Sequence, residues 1–224
     1  MKKIIIIGAG AMGSAFAVPC VENENDVTIV GTHLEDDLIK DIISNDYFHP
    51  GLKTKLPKDI KFVQFNELQP ILEKDVDLIV AGISSIGIEW FAKQISKNYK
   101  KKLPIVLLTK GLSIVDNKLT TLSDKIKSIL EKNGHSEINI SAVKGPCLAA
   151  GLANKMRTGT VIANKDLKQC QSVKNMISTD YYSMEISEDV PGVELSGAIK
   201  NIYSMLIGAS EGLSNSKASK EIQS

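Results

Sequence analysis

The sequence predicts an α/β protein built on a doubly wound, mostly parallel sheet. Short β-branched runs alternate with helix-like stretches from the first residue onward, as they do in chains that assemble parallel sheets from repeated strand–helix units. Several of these runs are apolar throughout instead of alternating, which is expected of strands that are covered on both faces.

The predicted elements follow one another at regular intervals. The strand candidates are 3–7, 27–30, 60–65, 76–82, 103–109 and 138–145. The helix candidates between them lie near 11–22, 34–44, 87–99 and 118–133. Residues 45–57 contain Gly and Pro and are predicted to form a loop. Two further strands, 160–164 and 181–187, with a helix between them, are expected to extend the same sheet.

The pattern changes after residue 187. Asp189 suits a helix cap and Pro191 suits a first helical turn, and the following residues are helical in character to about 213. A turn and the start of another helix are predicted beyond that point. Residues 189–224 are therefore expected to begin a helical domain.

Composition excludes several classes of function. The chain has 224 residues with 27 basic and 26 acidic side chains, so charge gives no indication of a nucleic-acid partner or a membrane surface. No apolar run reaches the ~20 residues that would cross a bilayer, and a soluble protein without membrane insertion is expected. Arg157 is the only arginine, and arginine is the usual bidentate phosphate ligand.

The cysteines and histidines are scattered. Three cysteines with no CxxC spacing argue against a disulfide framework or a zinc site and fit a reducing cytoplasm. The three histidines also lack metal-ligand spacing, so no metal site is expected.

The clearest motif is a glycine loop at the N-terminus, "IIIIGAGAMGSAFA". Gly8 permits a tight turn, Gly10 lets the backbone approach a pyrophosphate, and Gly13 lets the helix and strand pack closely. The unpaired N–H groups of the helix start then face the phosphates. Because the motif follows a strand and precedes a helix, it predicts a Rossmann-type dinucleotide-binding domain over residues 1–188.

The acidic residue that usually completes this motif is missing. The second strand ends in "IVGTHLEDD", with Gly31, Thr32 and His33 where a carboxylate would hold the ribose of NAD or an arginine would select NADP. Glu35 and Asp36 are predicted to cap the next helix. His33 is either a contact to a 2′-phosphate or, as we favour, a surface histidine, so the choice between NAD and NADP stays open.

Two lysines stand out by position. Lys110 in "LLTKGL" follows the carboxyl end of a buried strand, the edge where open α/β sheets bind ligands. A solvated lysine in a turn is an equally good interpretation. The segment "SAVKGPCLAAG" repeats the geometry with a helix predicted to start near Cys147, where its free N–H groups could form a second anion site.

Lys200 lies within "VELSGAIKNIYSMLIGAS", which has the pattern of a buried helix. On a helical grid it shares a face with small or hydrogen-bonding residues, namely Ser196, Gly197, Asn201, Ser204 and Gly208. The opposite face is apolar, with Val193, Leu195, Ile199, Ile202 and Leu206. A lysine shielded from water there could exchange protons near neutrality. The alternative is a lysine that snorkels between packed elements.

Taken together, four motifs resemble the NAD(P)-dependent glycerol-3-phosphate dehydrogenase family. They are "GAGAMGSAFA", "LLTKGL", "VKGPCLA" and "VELSGAIKNIYSMLIGASEGL", in matching order and spacing, and "GTHLEDDLIKDI…HPGLKTKLP" is similar to archaeal members. The resemblance covers essentially the whole chain. It implies NAD or NADP as cofactor and a phosphorylated triose, dihydroxyacetone phosphate, as the small-molecule substrate. It also implies a role in glycerophospholipid synthesis. A homodimer stays open as the assembly.

The resemblance also implies roles for individual residues. Lys200 would be the general acid/base at the C2 oxygen of the substrate, Asn201 would orient the substrate, and Lys110 would stabilise the developing alkoxide or the phosphate. The implied cofactor-binding residues are Gly8, Gly10, Ala11, Met12, Gly13, Lys110 and Ala149. The implied substrate-binding residues are Lys110, Gly145, Cys147 and Lys200. Cys147 replaces the family's usual serine or threonine, and a buried structural thiol is expected there.

One departure limits these expectations. Family members continue into a helical bundle with an aspartate and a "GRN" segment that grips the substrate phosphate, whereas this sequence stops at "KASKEIQS". A truncated form that binds cofactor but turns over poorly is therefore expected. Two alternatives remain: a ketopantoate-reductase-like oxidoreductase, which "TKGL" and "KGP" disfavour, and a non-catalytic dinucleotide-binding module.

Overall fold

The computed structural model describes residues 1–100, 102–115 and 117–214, and its strands and helices alternate along the chain. The strands are β1 (Lys3–Ile7), β2 (Asp26–Val30), β3 (Phe48–His49), β4 (Thr54–Lys55), β5 (Lys61–Val63), β6 (Leu78–Ala81), β7 (Pro104–Leu107), β8 (Leu112–Val115), β9 (Lys118–Thr121), β10 (Asn139–Lys144), β11 (Thr158–Ala163) and β12 (Tyr182–Ser187). The α-helices are α1 (Ala11–Glu22), α2 (Asp36–Ser44), α3 (Leu68–Leu72), α4 (Ile88–Ile95), α5 (Leu122–Lys132), α6 (Ala149–Ala153), α7 (Leu167–Ile177) and α8 (Val190–Ser214).

The central sheet has eight strands in the order β12-β11-β10-β7-β6-β1-β2-β5. All neighbouring strands pair in parallel except β10 and β11, which are antiparallel. The prediction of a mostly parallel, doubly wound sheet is confirmed. Strand β1 has β2 on one side and β6 on the other, so the chain reverses direction across the sheet beside the glycine loop, where such folds bind ligands.

The isoleucine run of β1 shows why both faces of the sheet are covered. Ile4 and Ile6 belong to one buried cluster, which includes side chains of α1 and α7. Ile5 and Ile7 belong to a second cluster, which includes side chains of α4 and α5. Alternate side chains of a strand point to opposite faces, so an unbroken apolar strand requires helices on both. Each such side chain contributes roughly 1.5–3 kcal/mol when fully buried.

The predicted elements differ from the structure in several places. The helix predicted over 118–133 begins only at Leu122, because residues 118–121 pair with β8 as the hairpin strand β9. Thr121 ends that strand and caps α5, its hydroxyl accepting the N–H of Asp124 at 3.1 Å. The predicted loop over 45–57 contains the short β3–β4 pair, and the helix predicted over 87–99 ends at Ile95. Helix α3 was not predicted.

Helix α8 lies where it was predicted, but it is less buried than predicted. The carboxylate of Asp189 accepts the N–H of Gly192 at 2.9 Å and so supports the first turn. The first turns pack on β10 and β11, whereas residues 201–213 are exposed. The expectation of a buried helix is therefore wrong for this part, since the stripe predicted to pack inward is open, with Ile202 54% exposed. The helix predicted after residue 213 lies outside the described residues.

The described part of the chain contains neither a membrane-spanning helix nor a metal-binding cluster. No helix there has the length and apolar character needed to traverse a bilayer. No group of three or more His, Cys, Asp or Glu side chains is placed to hold a metal ion.

Candidate active site

Most of the predicted site residues lie at the carboxyl edge of the parallel strands. Gly8 follows β1, Gly82 follows β6 and Gly145 follows β10, while Lys110 comes three residues after β7. Because these strands run in the same direction, their carboxyl ends meet at one edge. The topology therefore brings the glycine loop and the two "KG" segments to the same side of the sheet.

The glycine loop is closed by backbone contacts that leave no space for side chains. Gly8 has a φ of +110°, and a Cβ there would lie 2.5 Å from the carbonyl oxygen of Gly82. A Cβ on Gly13 would lie 2.2 Å from the carbonyl oxygen of Gly8. Both glycines are therefore required by the fold itself, as the motif predicts. Gly10 is different, because a Cβ there would meet nothing closer than 3.7 Å.

The residue at the centre of the loop, Ala9, is held by three side chains from three parts of the chain. Its N–H donates to the carboxylate of Glu35 at 3.1 Å. Its carbonyl accepts from the hydroxyl of Ser14 at 2.9 Å and from the Nε2 of buried His49 at 3.0 Å. Because C=O and N–H point in opposite directions across a trans peptide, these bonds direct the N–H of Gly10 away from Ser14 and His49.

This loop fits the pyrophosphate of a dinucleotide. Gly10 is the cap of α1 and has no side chain to occupy the helix start, and the first N–H groups of a helix have no partner within it. Ala11 and Met12, the first two helical residues, are half-buried. Free N–H groups at a helix start favour an anion. The loop residues predicted to bind cofactor, Gly8 and residues 10–13, therefore fit that group.

Lys110 is exposed at the mouth of the same edge. The turn before it is fixed by the Thr109 hydroxyl, which donates to the carbonyl of Ile83 at 2.8 Å. Partial burial lowers the pKa of the Lys110 amine, the positive charge of Lys200 lowers it further, and Cys147 opposes the shift. Met12 and Lys110 line one small cavity together.

Lys200 lies half-buried on α8 and lines a cleft of about 450 Å³. The cleft wall also includes Gly145, Ser196 and Gly197, so the small face of the helix does border open space as the helical grid predicted. Asn201 is exposed on the next position of the helix. Gly145 and Lys144 line both this cleft and the small cavity that Lys110 borders, while Asn201 lies outside the cleft lining.

A third lysine, Lys144, was missed by the sequence reasoning. It is the last residue of β10, is 3% exposed, and donates to the carbonyl of Leu107 at 2.9 Å. Burial lowers its pKa to about 8, although the charge of Glu194 opposes this and that of Lys110 adds to it. The sequence did contain a signal for this burial, because the lysine ends an otherwise apolar strand in "ISAVKG".

The buried carboxylate of Glu194 was also missed. It is 0% exposed and accepts the N–H groups of Leu122 at 3.0 Å and Ser123 at 3.2 Å at the start of α5. A carboxylate at a helix N-terminus satisfies orphan donors and interacts favourably with the helix dipole. The next turn of α8 places Gly197 over Lys144, where a Cβ would lie 2.9 Å from the lysine Cδ. These contacts position Lys200 above the sheet edge.

The "KGPC" segment differs in part from the prediction. The helix α6 begins at Ala149 and not near Cys147, and it has five residues, so it does not support a second anion site. Gly145 is required by β11, because a Cβ there would lie 2.8 Å from the carbonyl oxygen of Gly159. Burial raises the pKa of the Cys147 thiol, which fits an inert buried cysteine. Ala149 packs against the core cluster that contains α1.

The mostly parallel sheet with a strand–glycine loop–helix unit at its first crossover defines a Rossmann-type dinucleotide-binding domain. Residues 3–170 match the family described as "NAD-dependent glycerol-3-phosphate dehydrogenase N-terminus". Because this match covers most of the sequence, the chain belongs to the NAD-dependent glycerol-3-phosphate dehydrogenase family.

Individual relatives agree with this assignment. The chain is 32% identical over 214 residues to the NADP(+)-dependent glycerol-3-phosphate dehydrogenase of Archaeoglobus fulgidus, which covers 96% of this chain and 62% of the relative. It is 32% identical over 202 residues to glycerol-3-phosphate dehydrogenase [NAD(P)+] of Mesoplasma florum, covering 89% of the chain and 58% of the relative. The chain thus spans about three fifths of the length of these proteins.

The fold comparison gives the same result. The structure of glycerol-3-phosphate dehydrogenase from Plasmodium falciparum superposes with a TM-score of 0.80 at 23% identity, covering 99% of this chain and 62% of the other. At this identity the likeness establishes the fold. The prediction of a Rossmann-type domain is confirmed a second time.

Proposed function

We propose that the protein acts as an NAD(P)-dependent glycerol-3-phosphate dehydrogenase, interconverting dihydroxyacetone phosphate and glycerol 3-phosphate. The observation on which this depends is that Lys110 lines a cavity together with Met12 of the glycine-loop helix, and that Lys144 and Gly145 line both this cavity and the cleft of Lys200. Family membership supports this reaction over the ketopantoate alternative. Because the chain spans part of its relatives' length, the proposal concerns the whole protein.

The glycine loop would hold the dinucleotide. Gly10 and the helix start that follows it would accept the pyrophosphate, with Gly8 and Gly13 required for the backbone path. When bound, the nicotinamide supplies or removes the hydride at C2 of the substrate. The protein's remaining task is to manage the proton and the charge on the C2 oxygen.

Lys200 would transfer that proton. In the direction of reduction, its ammonium group gives a proton to the C2 oxygen, and in the reverse direction the amine takes it back. Lys110 would keep its charge and stabilise the oxygen as negative charge develops there. Asn201, which neighbours Lys200 but is exposed, would orient the substrate.

The charge of the site favours a phosphorylated substrate. Lys110 and Lys144 line one cavity, and Lys144 and Lys200 line the neighbouring cleft, so three lysines surround this part of the sheet edge. Mutual repulsion of cations is relieved by an anion placed among them. Gly145 and Cys147 would line the substrate side of this space. The Lys144 amine already donates to the carbonyl of Leu107, so it would attract the phosphate by its positive charge without binding it directly.

The exposed apolar part of α8 supports the proposed domain boundary at residues 188 and 189. Large apolar side chains remain open there, including Ile202, Leu206 and Ile207. Contiguous apolar surface of this kind is normally covered by another element or another chain. We propose that 189–224 begins a helical substrate domain. A homodimer and a cytoplasmic location stay predictions, and light scattering on the purified protein measures the first.

A substrate panel tests the proposed function. NADH and NADPH oxidation should be measured with dihydroxyacetone phosphate, dihydroxyacetone and ketopantoate, using both the 224-residue chain and a version extended by a relative's C-terminal bundle. We expect nucleotide binding by both versions and turnover with dihydroxyacetone phosphate by the extended one. Turnover with ketopantoate alone would overturn the proposal, and nucleotide binding with no turnover on any substrate would favour the non-catalytic module.

A further inference from the structure

The second strand of the domain ends without the expected acidic residue, yet a carboxylate reaches the glycine loop from a later position. Glu35 stands at the cap position of α2 but makes no side-chain bond to that helix. The prediction that it caps the helix is therefore wrong for its side chain. Its Oε2 instead accepts the N–H of Ala9 at 3.1 Å and the N–H of Thr32 at 2.7 Å.

These two bonds fix the carboxylate against the loop that would hold the dinucleotide. One donor is in the glycine loop after β1 and the other is in the segment after β2, so Glu35 bridges the two strand ends. Its second oxygen, Oε1, lies 3.7 Å from the point where a Cβ of Gly10 would be. Among the residues that the structure describes, no hydrogen-bond donor engages Oε1, which leaves this oxygen as an acceptor beside Gly10.

The surrounding segment is acidic. Residues 31–40 contain Glu35, Asp36 and Asp37, and the only lysine or arginine among them, Lys40, is paired with Asp37 at 3.2 Å. The single arginine, Arg157, precedes β11, which is five places from β2 in the sheet, or roughly 24 Å at the usual strand spacing. His33 is turned toward aromatic neighbours, with its ring 5.3 Å from that of Trp90.

We infer that Glu35 makes the protein select NAD over NADP. The inference depends on the proposed function, since it concerns the adenosine ribose of the same dinucleotide. A free carboxylate oxygen accepts hydrogen bonds from the 2′- and 3′-hydroxyls of NAD, whereas it repels the 2′-phosphate of NADP. The names of the relatives include both cofactors, so family membership does not decide this preference.

Binding measurements with Glu35→Gln test the inference without reliance on turnover. Glutamine keeps the shape and an acceptor for the two N–H groups but removes the charge. Dissociation constants should be measured for NADH and NADPH, and for ADP-ribose and its 2′-phosphate, which lack the reacting ring. The wild type should bind the unphosphorylated member of each pair at least about tenfold more tightly at low salt, and Glu35→Gln should narrow that ratio at least about fivefold.

Asp37→Asn is the matched control, because it removes the same charge from a fully exposed side chain two residues away. It should leave the ratio within about twofold of the wild type. Equal or tighter binding of the 2′-phosphorylated ligands by the wild type would overturn this inference but not the proposed function. The same holds if Glu35→Gln and Asp37→Asn give equal ratios of the two dissociation constants. If the folded wild type bound none of the four ligands, the inference and the proposed cofactor use would both fall.

Discussion

The glycine loop and helix α8 contribute to the same sheet edge in opposite ways. The loop is closed by backbone contacts around Gly8 and Gly13, and by side chains that hold Ala9. The first turns of helix α8 are anchored by the helix's own buried Glu194, which binds the start of α5, and they pack over Lys144; the rest of the helix is exposed. The glycine loop is therefore held on several sides by its neighbours, whereas helix α8 is supported at its first turns and exposed beyond them.

Gly13→Ala should give the largest effect, because it breaks the closed loop. Its Cβ would lie 2.2 Å from a carbonyl oxygen, and backbone at both sites would have to shift. We expect the free energy of unfolding to fall by about 2–4 kcal/mol with loss of nucleotide binding. Urea unfolding and NADH titration measure the two effects.

Gly208→Ala is the contrasting variant on α8. A Cβ there meets nothing within 4 Å, and alanine favours a helix over glycine by about 1 kcal/mol. It should leave stability unchanged or slightly raised. Equal destabilisation by the two variants would contradict the distinction between a closed loop and an open helix.

Glu194→Gln should give the second largest loss of stability, because it disturbs the contacts that anchor the first turns of α8. The variant removes the charge that faces Lys144 and weakens two bonds to the start of α5. Breaking such a buried arrangement costs about 3 kcal/mol. Glu188→Gln, on an exposed side chain just before α8, should change the free energy of unfolding by less than about 0.5 kcal/mol. Similar urea midpoints for both variants would count against this role of Glu194.

The third effect is a dependence of stability on pH that Lys144 produces. Its pKa is about 8 in the folded protein against 10.5 ordinarily, so between these values the unfolded chain binds more protons and stability rises with pH. Lys144→Met should flatten that rise, because the side chain that loses its proton over this pH range is absent. Thermal melts of both proteins from pH 7 to 10.5 measure the difference, and parallel curves would contradict it.

The smallest effect concerns His49, which joins the 45–57 segment to the glycine loop. Its ring accepts the N–H of Leu52 at Nδ1 and contacts the Ala9 carbonyl through Nε2. His49→Gln should weaken NADH binding about three- to tenfold, as expected for one lost hydrogen bond of about 1 kcal/mol.

His135→Gln is the matched control, since its ring nitrogen contacts the carbonyl of Ser96 in a part of the chain that does not border the loop. We expect this variant to lower the free energy of unfolding without changing the affinity for NADH. An equal loss of affinity in both variants would show that His49 acts only through general stability.

The sequence predicted the parts of the molecule whose structure is local. The succession of the main strands along the chain and the need for Gly8 and Gly13 follow from residues that lie next to one another, and both were predicted. The path of the Glu35 carboxylate and the burial of Lys144 depend on neighbours far along the chain, such as Ala9 and Leu107. Helical spacing placed Lys200 on the correct face, but spacing alone does not tell which stripe of a helix is covered.

The central claim is that the glycine loop and the lysine group form one catalytic site, and Lys200→Met tests it most directly. Turnover of dihydroxyacetone phosphate and the dissociation constant of NADH should be measured in the extended protein, with Lys168→Met, on an exposed side chain of α7, as control. We predict that Lys200→Met lowers turnover at least about 10²-fold with NADH affinity unchanged and that the control retains both. Full turnover without the Lys200 amine would contradict the account.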